Sequence, residues 1–190
     1  YLALCLNAIL PACSGVTQAT KMPRRAGHSS AAMPSLYREA LRSLDDASVA
    51  PDYAAALAER LALKDIRLVV TGEEMPAREL NYFKGLTERS RPIIACGRTT
   101  INQLACLIKR CSVFICGDTA PLHIAVGMAT PVVALFGPTD PKRHLPSGEN
   151  IVLLNKEFPC QPCYKPECRD VKCMEQISVD EVLEAVLKSL

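Results

Sequence analysis

Apolar runs and amphipathic segments alternate along the chain from residue 51 onward. Short β-prone apolar runs predict five strands, at residues 66–70, 92–96, 113–116, 131–136 and 151–154. Apolar residues spaced three or four positions apart predict five helices, at residues 51–63, 76–88, 100–110, 119–128 and 178–190. Because strands separated by helices imply βαβ crossovers, we expect a Rossmann-like α/β domain, a parallel sheet with helices on both faces.

Two of these helices carry more specific signals. In the third helix, Ile101, Leu104 and Ile108 form a stripe that is expected to face the core. The last helix begins with a capping box, in which Ser178 is followed by Glu181. The two patterns predict which face of the third helix packs inward and where the last helix starts.

The first part of the chain breaks the alternation. Residues 1–6 are a candidate first strand and residues 35–44 a candidate helix, whereas the rest of this part has no sustained period. We therefore expect two regions. One is an irregular or inserted segment at residues 1–50, which can include the first strand. The other is the α/β domain at residues 51–190, with a Cys-rich loop at residues 160–173.

Composition and charge narrow the classes of function. The 190 residues are 49% hydrophobic and 22% charged, which suits one globular domain with a sizeable core. The net charge of +2 comes from acids and bases mixed along the chain, so no nucleic-acid partner is expected. The chain starts with Tyr1 rather than Met, which indicates a piece of a longer product. Small-molecule chemistry is the better expectation.

Cysteine usage and hydropathy favour a soluble protein in a reducing cytoplasm. Of the ten cysteines, four lie inside apolar runs, where a free cysteine packs as a small hydrophobe: Cys96, Cys106, Cys111 and Cys116. No apolar run approaches the about 18 residues that cross a bilayer. Residues 10–13 are faintly similar to a lipoprotein processing site, but no basic segment precedes them.

Polar residues follow two neighbouring predicted strands. The strand at residues 113–116 is followed by Asp118, and the strand at residues 131–136 is followed by Thr139 and Asp140. Ligands of open α/β sheets bind at the carboxyl ends of strands, where loops run into helices. Amides at a helix start carry a partial positive charge that favours a phosphate or diphosphate. We therefore expect a pocket at this edge of the sheet.

Two interpretations of the polar residues near this helix start are open. In the first, Asp118 only caps the helix and His123 is a satisfied core histidine. In the second, Asp118 accepts hydrogen bonds from sugar hydroxyls and His123, one turn further along, adds a contact to the same ligand. The polar turn containing Thr139 favours the second interpretation, because it reaches the same sheet edge.

Three ordered motifs make the ligand more specific: GDTAPLH at residues 117–123, AVGMATP at residues 125–131 and FGPTDP at residues 136–141. They strongly resemble the ADP-heptose:lipopolysaccharide heptosyltransferases, and the resemblance covers about residues 51–190. It implies a glycosyltransferase with a GT-B fold, in which two Rossmann-like domains face a cleft. This chain is similar to the second, donor-binding half of that fold.

The resemblance also implies a set of substrate-binding residues: Glu73, Thr99, Asp118, Thr119, Ala120, Leu122, His123 and Thr139. Within this set, Thr119 and Ala120 would hold the diphosphate, and Asp118 and His123 the sugar. Glu73 would bind the ribose hydroxyls, and Thr99 would lie beside the base. No catalytic residue is expected here, because the acidic base of the family lies in an amino-terminal half that has no counterpart in these residues.

The implied reaction is an inverting transfer of a sugar from a nucleoside diphosphate donor, ADP-heptose, to a lipopolysaccharide core acceptor. A base deprotonates the acceptor hydroxyl while helix-start amides stabilise the departing diphosphate. No metal or other cofactor is expected for donor binding, since amides and a lysine neutralise the diphosphate in the family. The acceptor implies peripheral contact with a membrane surface.

Two departures from the family pattern concern function. The Lys-Arg-Trp-Pro motif that supplies the lysine is replaced by Ala-Ser-Val-Ala at residues 47–50, and Lys21 is either a substitute or a surface lysine. The missing amino-terminal half leaves open an alternative function, a non-catalytic nucleotide-sugar-binding module or degenerate remnant. An upstream domain in the same reading frame, with an acidic residue facing the cleft, would separate this alternative from a complete transferase.

Four further cysteines are clustered in sequence near the end of the chain: Cys160, Cys163, Cys168 and Cys173. Thiolates at these spacings can form a zinc site or hold a cluster. The alternatives are free thiols or disulfides, according to the redox compartment. A small metal-binding interaction protein would rest on these cysteines alone, and related transferases have a similar Cys-rich segment.

Overall fold

The computed structural model of the protein describes residues 3–8, 51–165, 168 and 172–190. In this part of the chain the strands are β1 Ala3–Ala8, β2 Ile66–Thr71, β3 Ile93–Ile94, β4 Val113–Gly117, β5 Val132–Phe136 and β6 Ile151–Asn155. The helices are α1 Pro51–Ala62, α2 Ala77–Lys84, α3 Ile101–Lys109, α4 Ala120–Gly127, α5 Pro141–His144, α6 Lys172–Glu175 and α7 Val179–Ser189. The helix expected at residues 35–44 and Lys21 lie outside the described residues.

The six strands form one sheet in the order β3-β2-β1-β4-β5-β6. The pairs β2–β3, β4–β5 and β5–β6 are parallel, as expected for βαβ connections. Strand β1 lies in the middle of the sheet and is antiparallel to both β2 and β4. The expected parallel α/β sheet is thus confirmed for the other five strands, and β1 makes the sheet mixed. Residues 9–65 connect β1 to β2, and so long a connection permits either strand direction.

Helices cover both faces of the sheet, as the alternating pattern predicts. On one face, α1 and α7 pack over a core that includes Leu57, Ile115 and Val182. On the other face, α3 and α4 pack over a core that includes Phe114 and Leu122. Adjacent residues of β4 enter different cores because successive side chains of a strand point to opposite faces. The continuous apolar runs of β4 and β5 thus reflect burial on both sides.

Helix ends follow the local sequence signals. Ser178 accepts a hydrogen bond from the Glu181 amide and Glu181 accepts one from the Ser178 amide, so the predicted capping box is confirmed. Thr100 and Gln103 form a second capping box at the start of α3. The inward stripe predicted for α3 is wrong at Ile101, which is 69% exposed. Ile101 is the first residue of the helix, and its side chain is largely open to solvent.

In the part of the chain that the structure describes, no helix is both long enough and apolar enough to span a bilayer.

Candidate functional site

A cavity of about 620 Å³ opens at the carboxyl ends of β2 and β4. Three chain segments form its wall: the turn after β2, the turn before α3 with the first turn of that helix, and the turn from β4 into α4. The lining residues are Thr71, Gly72, Glu73, Gly97, Thr99, Thr100, Ile101, Leu104, Asp118, Thr119, Ala120, Pro121 and Ile124. This is the sheet edge at which open α/β sheets bind ligands.

Glycine lets two of these segments approach each other. Gly97 has a positive φ of 67°, and a Cβ built on it would lie 3.1 Å from Glu74 Cα. The Gly97 amide donates to the Gly72 carbonyl over 2.9 Å, which joins the turn after β3 to the turn after β2. A side chain at Gly97 would therefore strain the backbone and separate the two turns. The apolar side chains of Ile101 and Leu104 continue the wall from this point.

The start of α4 faces the cavity with polar groups and has no side-chain cap. Thr119 occupies the N-cap position, but its side chain makes no capping hydrogen bond. Its hydroxyl donates instead to the Gly117 carbonyl, over 3.4 Å. The interpretation of Asp118 as the cap of this helix is therefore wrong. An uncapped helix start carries partial positive charge and suits an anionic group.

Asp118 is the acidic side chain between β4 and α4. Its side chain is 19% exposed and lines the cavity, and its Oδ2 atom lies 3.9 Å from Nδ1 of His144. His144 ends the one-turn helix α5, which the sequence analysis did not predict. A single turn has too few residues for an apolar period, and the only local signal is Asp140 followed by Pro141, a good helix start.

The structure brings together five of the eight substrate-binding residues expected from the sequence. Those that line the cavity are Glu73, Thr99, Asp118, Thr119 and Ala120. The other three do not line the cavity. Leu122 is buried on the inner side of α4, His123 is exposed on the outer surface of that helix, and Thr139 is half-buried after β5. The alternative of a satisfied core histidine is therefore wrong for His123.

The loop after β5 is held by the Cys-rich segment. Gln161 donates its side-chain amide to the Gly137 carbonyl over 2.5 Å. The backbone amides of Cys163 and Tyr164 both donate to the Pro138 carbonyl, over 3.0 and 3.1 Å. Thr139, the next residue, has a buried hydroxyl without a hydrogen-bond partner among the described residues. These contacts fix the loop that leads into α5.

Among the described residues, the late cysteines form no disulfide. Burial raises the pKa of Cys173, and the neighbouring thiols of Cys163, Cys160 and Cys168 raise that pKa further. Among residues 3–8, 51–165, 168 and 172–190, no three His, Cys, Asp or Glu side chains are arranged to hold a metal ion. Cys173 packs close to Gly137, where an added Cβ would lie 3.1 Å from its sulfur. The described geometry thus gives Cys173 a packing contact with the loop after β5.

Comparison with known sequences identifies the family. The sequence model described as glycosyltransferase family 9 (heptosyltransferase) matches residues 50–174. The chain belongs to this family. The matched range contains every residue that lines the cavity and all four late cysteines. The heptosyltransferase motifs identified in the sequence therefore lie inside the family match.

Curated relatives of this family-9 chain are heptosyltransferases. Lipooligosaccharide heptosyltransferase 2 of Campylobacter jejuni is 33% identical over 96 residues, which are 49% of this chain and 30% of the relative. Lipopolysaccharide heptosyltransferase 3 of Escherichia coli is 35% identical over 95 residues, which are 50% of this chain and 28% of the relative. The chain thus aligns with less than a third of the length of these relatives.

Solved structures support the fold of the family-9 chain. The E. coli ADP-heptose lps heptosyltransferase II has a TM-score of 0.62 and 20% identity, over 73% of this chain and 40% of that one. A glycosyl transferase family 9 protein from Veillonella parvula has a TM-score of 0.61 and 22% identity, with the same coverage of 73% and 40%. At 20–22% sequence identity, this similarity shows only that the chain shares the α/β fold of these structures.

Proposed function

We propose that this family-9 chain binds the nucleoside diphosphate sugar donor of a heptosyltransferase, ADP-heptose, in the cavity at the carboxyl ends of β2 and β4. The observation that carries the proposal is the uncapped start of α4 beside Asp118, within one cavity. Helix-start amides favour a diphosphate, and a carboxylate accepts hydrogen bonds from sugar hydroxyls. Strand β1 together with residues 51–190 would form the donor-binding domain.

Each lining segment suits one part of the donor. Thr119 and Ala120 would hold the diphosphate, and Asp118 the sugar. Glu73, exposed on the turn after β2, would accept hydrogen bonds from the ribose hydroxyls. Thr99, together with the apolar wall that begins at Ile101, would lie beside the base. These assignments need no metal, because the helix-start amides supply the positive charge.

Three expected residues have different parts in this proposal because of where they lie. Leu122 is buried and packs α4 against the sheet. His123 is exposed beyond the cavity wall, so we assign it at most a contact with a part of the sugar that extends outside. Thr139 has a buried hydroxyl that could accept or donate a hydrogen bond when a ligand reaches the loop after β5.

The chemistry that we propose is an inverting transfer to a lipopolysaccharide core acceptor. A base removes the proton of the acceptor hydroxyl, the hydroxyl oxygen bonds to the anomeric carbon, and the bond to the diphosphate breaks. The start of α4 stabilises the negative charge that develops on the departing diphosphate. The resemblance assigns the base to the amino-terminal Rossmann-like domain of a GT-B enzyme, and no residue of this chain is assigned that role.

We place this function in the cytoplasm, with peripheral membrane contact through the acceptor. The heptosyltransferase names of the relatives support the acceptor class, since they carry the words lipopolysaccharide and lipooligosaccharide. The E. coli heptosyltransferase solved with ADP-2-deoxy-2-fluoro heptose supports the class of donor.

Isothermal calorimetry with ADP, ADP-heptose and UDP-glucose tests the proposal. We expect binding of ADP and ADP-heptose, and a fall of about fivefold to tenfold in affinity for both when Glu73→Gln removes the charge beside the ribose. Glu149→Gln, a change at an exposed carboxylate outside the cavity, is the matched control and should leave both affinities unchanged. Absence of heat with millimolar ADP and ADP-heptose would reject the proposed function.

A further inference from the structure

We propose that His144 is a positioning residue for the Asp118 carboxylate and thereby a determinant of sugar recognition. The inference rests on the proposed function, because it concerns how the cavity distinguishes ADP-heptose from ADP. His144 was not among the residues expected to bind substrate, and it does not line the cavity. It would act on the sugar through Asp118.

The distance between the two side chains allows an ion pair when the imidazole is protonated. Nδ1 of His144 lies 3.9 Å from Oδ2 of Asp118, which is too long for a direct hydrogen bond but within ion-pair distance. The Asp118 side chain is 19% exposed, whereas that of His144 is 42% exposed. The carboxylate is thus the more enclosed partner, and the imidazole approaches it from the solvent side.

The backbone that carries His144 is well anchored. Asp140 caps α5 by accepting a hydrogen bond from the Lys142 amide over 2.9 Å. The amides of Arg143 and His144 donate to the Asp140 carbonyl over 3.0 and 3.2 Å. One turn of helix therefore fixes the position of the His144 backbone relative to the loop after β5.

The imidazole ring is also held from a second side. The ring of Tyr164 contacts the ring of His144 edge to face, with centroids 5.7 Å apart and an interplanar angle of 61°. The Tyr164 amide donates to the Pro138 carbonyl, so the Cys-rich segment and the loop that carries α5 are joined at this point. His144 is thus bounded by Tyr164 and Asp118, which restricts its rotamers.

A held imidazole beside Asp118 has a specific consequence for the ligand. A carboxylate recognises a sugar hydroxyl best when its oxygens are already oriented, because no ordering is then needed on binding. Loss of His144 should therefore weaken ADP-heptose binding while ADP, which lacks the sugar, is bound as before.

The test is the ratio of the ADP-heptose affinity to the ADP affinity, measured by calorimetry. We expect His144→Ala to lower this ratio about threefold. His144→Lys keeps a side chain that can carry a positive charge within ion-pair reach of Asp118 and should restore most of the ratio. Lys142→Ala, at an exposed position of the same helix, is the matched control and should leave the ratio unchanged. Melting temperatures verify that all variants are folded.

A double-mutant cycle shows whether His144 acts through Asp118. In an Asp118→Asn background, His144→Ala should change the ratio by less than in the unmodified chain. Equal effects of His144→Ala in both backgrounds, or an unchanged affinity ratio in His144→Ala, would overturn the inference about His144. The proposed function would still stand if the unmodified chain bound both ligands. Absence of binding by the unmodified chain would overturn the proposed function and this inference together.

Discussion

Asp118 presents a half-buried carboxylate to the cavity without capping the helix that follows it. Thr119 takes the N-cap position, and His144 lies within ion-pair distance of Asp118. Asp118 can be predicted from the sequence because it follows a buried strand, which is a local signal. His144 cannot, because its contact with Asp118 joins two separate loops and depends on how α5 folds back after β5.

Substitution of Asp118 should change the affinity for ADP-heptose but have little effect on the free energy of unfolding. Because Asp118 is not a cap, Asp118→Asn and Asp118→Ala should each change the free energy of unfolding by less than the about 1 kcal/mol of a lost cap. Asn loses the charge that strengthens hydrogen bonds from hydroxyls, so ADP-heptose affinity should fall while ADP affinity holds or rises slightly. Calorimetry and chemical denaturation measure the two effects. An unchanged affinity ratio would exclude sugar recognition by Asp118.

At the scale of elements, the strands and helices that were predicted correctly are those whose own residues favour one structure. The apolar runs of β4 and β5 and the capping box of α7 have residue types that favour one structure. Prediction failed where packing decides: β3 is only two residues long, and α2 ends earlier than its apolar pattern suggested. The ends of such helices and strands depend on which other segments pack against them. The residues of the segment itself do not specify those packing partners.

Gly137 joins the loop after β5 to the helix α6. A Cβ built on Gly137 would lie 2.5 Å from Met174 Sδ and 3.1 Å from Cys173 Sγ, so Gly137→Ala must displace both side chains. We expect a loss of about 1–3 kcal/mol in the free energy of unfolding. Gly85→Ala is the matched control, because nothing lies within 4 Å of its added Cβ, and it should be neutral or slightly stabilising. Urea denaturation compares the two.

Glu181, at the start of α7, should make the free energy of unfolding depend on pH at acidic pH. Hydrogen bonds from Lys156 and from the Ser178 amide and hydroxyl lower the pKa of Glu181 from 4.5 to about 2. Since the folded pKa lies below the unfolded value, this stabilisation is present above about pH 4.5 and is lost as the pH falls through about 2.

Glu181→Gln tests this pH dependence. The variant should flatten the curve of unfolding free energy against pH between about 4.5 and 2, measured by urea denaturation at each pH. Glu184→Gln changes an exposed carboxylate of the same helix and is the control. If the slope of Glu181→Gln matched that of the unmodified chain, the pairing with Lys156 would not contribute to folding.

At the scale of the whole molecule, the central position of β1 is the feature that the sequence least predicted. The alternation from residue 51 onward predicts five strands of one direction, and these are present. Strand β1 comes from the irregular first part of the chain and pairs antiparallel with β2 over six residues. It also fills the gap between β2 and β4. An apolar run alone specifies neither its partners nor its direction.

The contribution of β1 to the core can be measured at Leu6. Leu6 is fully buried in the same core as Leu68 and Val113, and its carbonyl accepts a hydrogen bond from the Ser112 amide over 2.8 Å. Leu6→Ala leaves a cavity in the core between the sheet and the helices α1 and α7, and should cost about 2–5 kcal/mol of unfolding free energy. Leu63→Ala, at a side chain that is 75% exposed, should be nearly neutral. If Leu6→Ala were as mild as Leu63→Ala in urea denaturation, β1 could not occupy the centre of the sheet, because removal of a buried leucine from a packed core is never without cost.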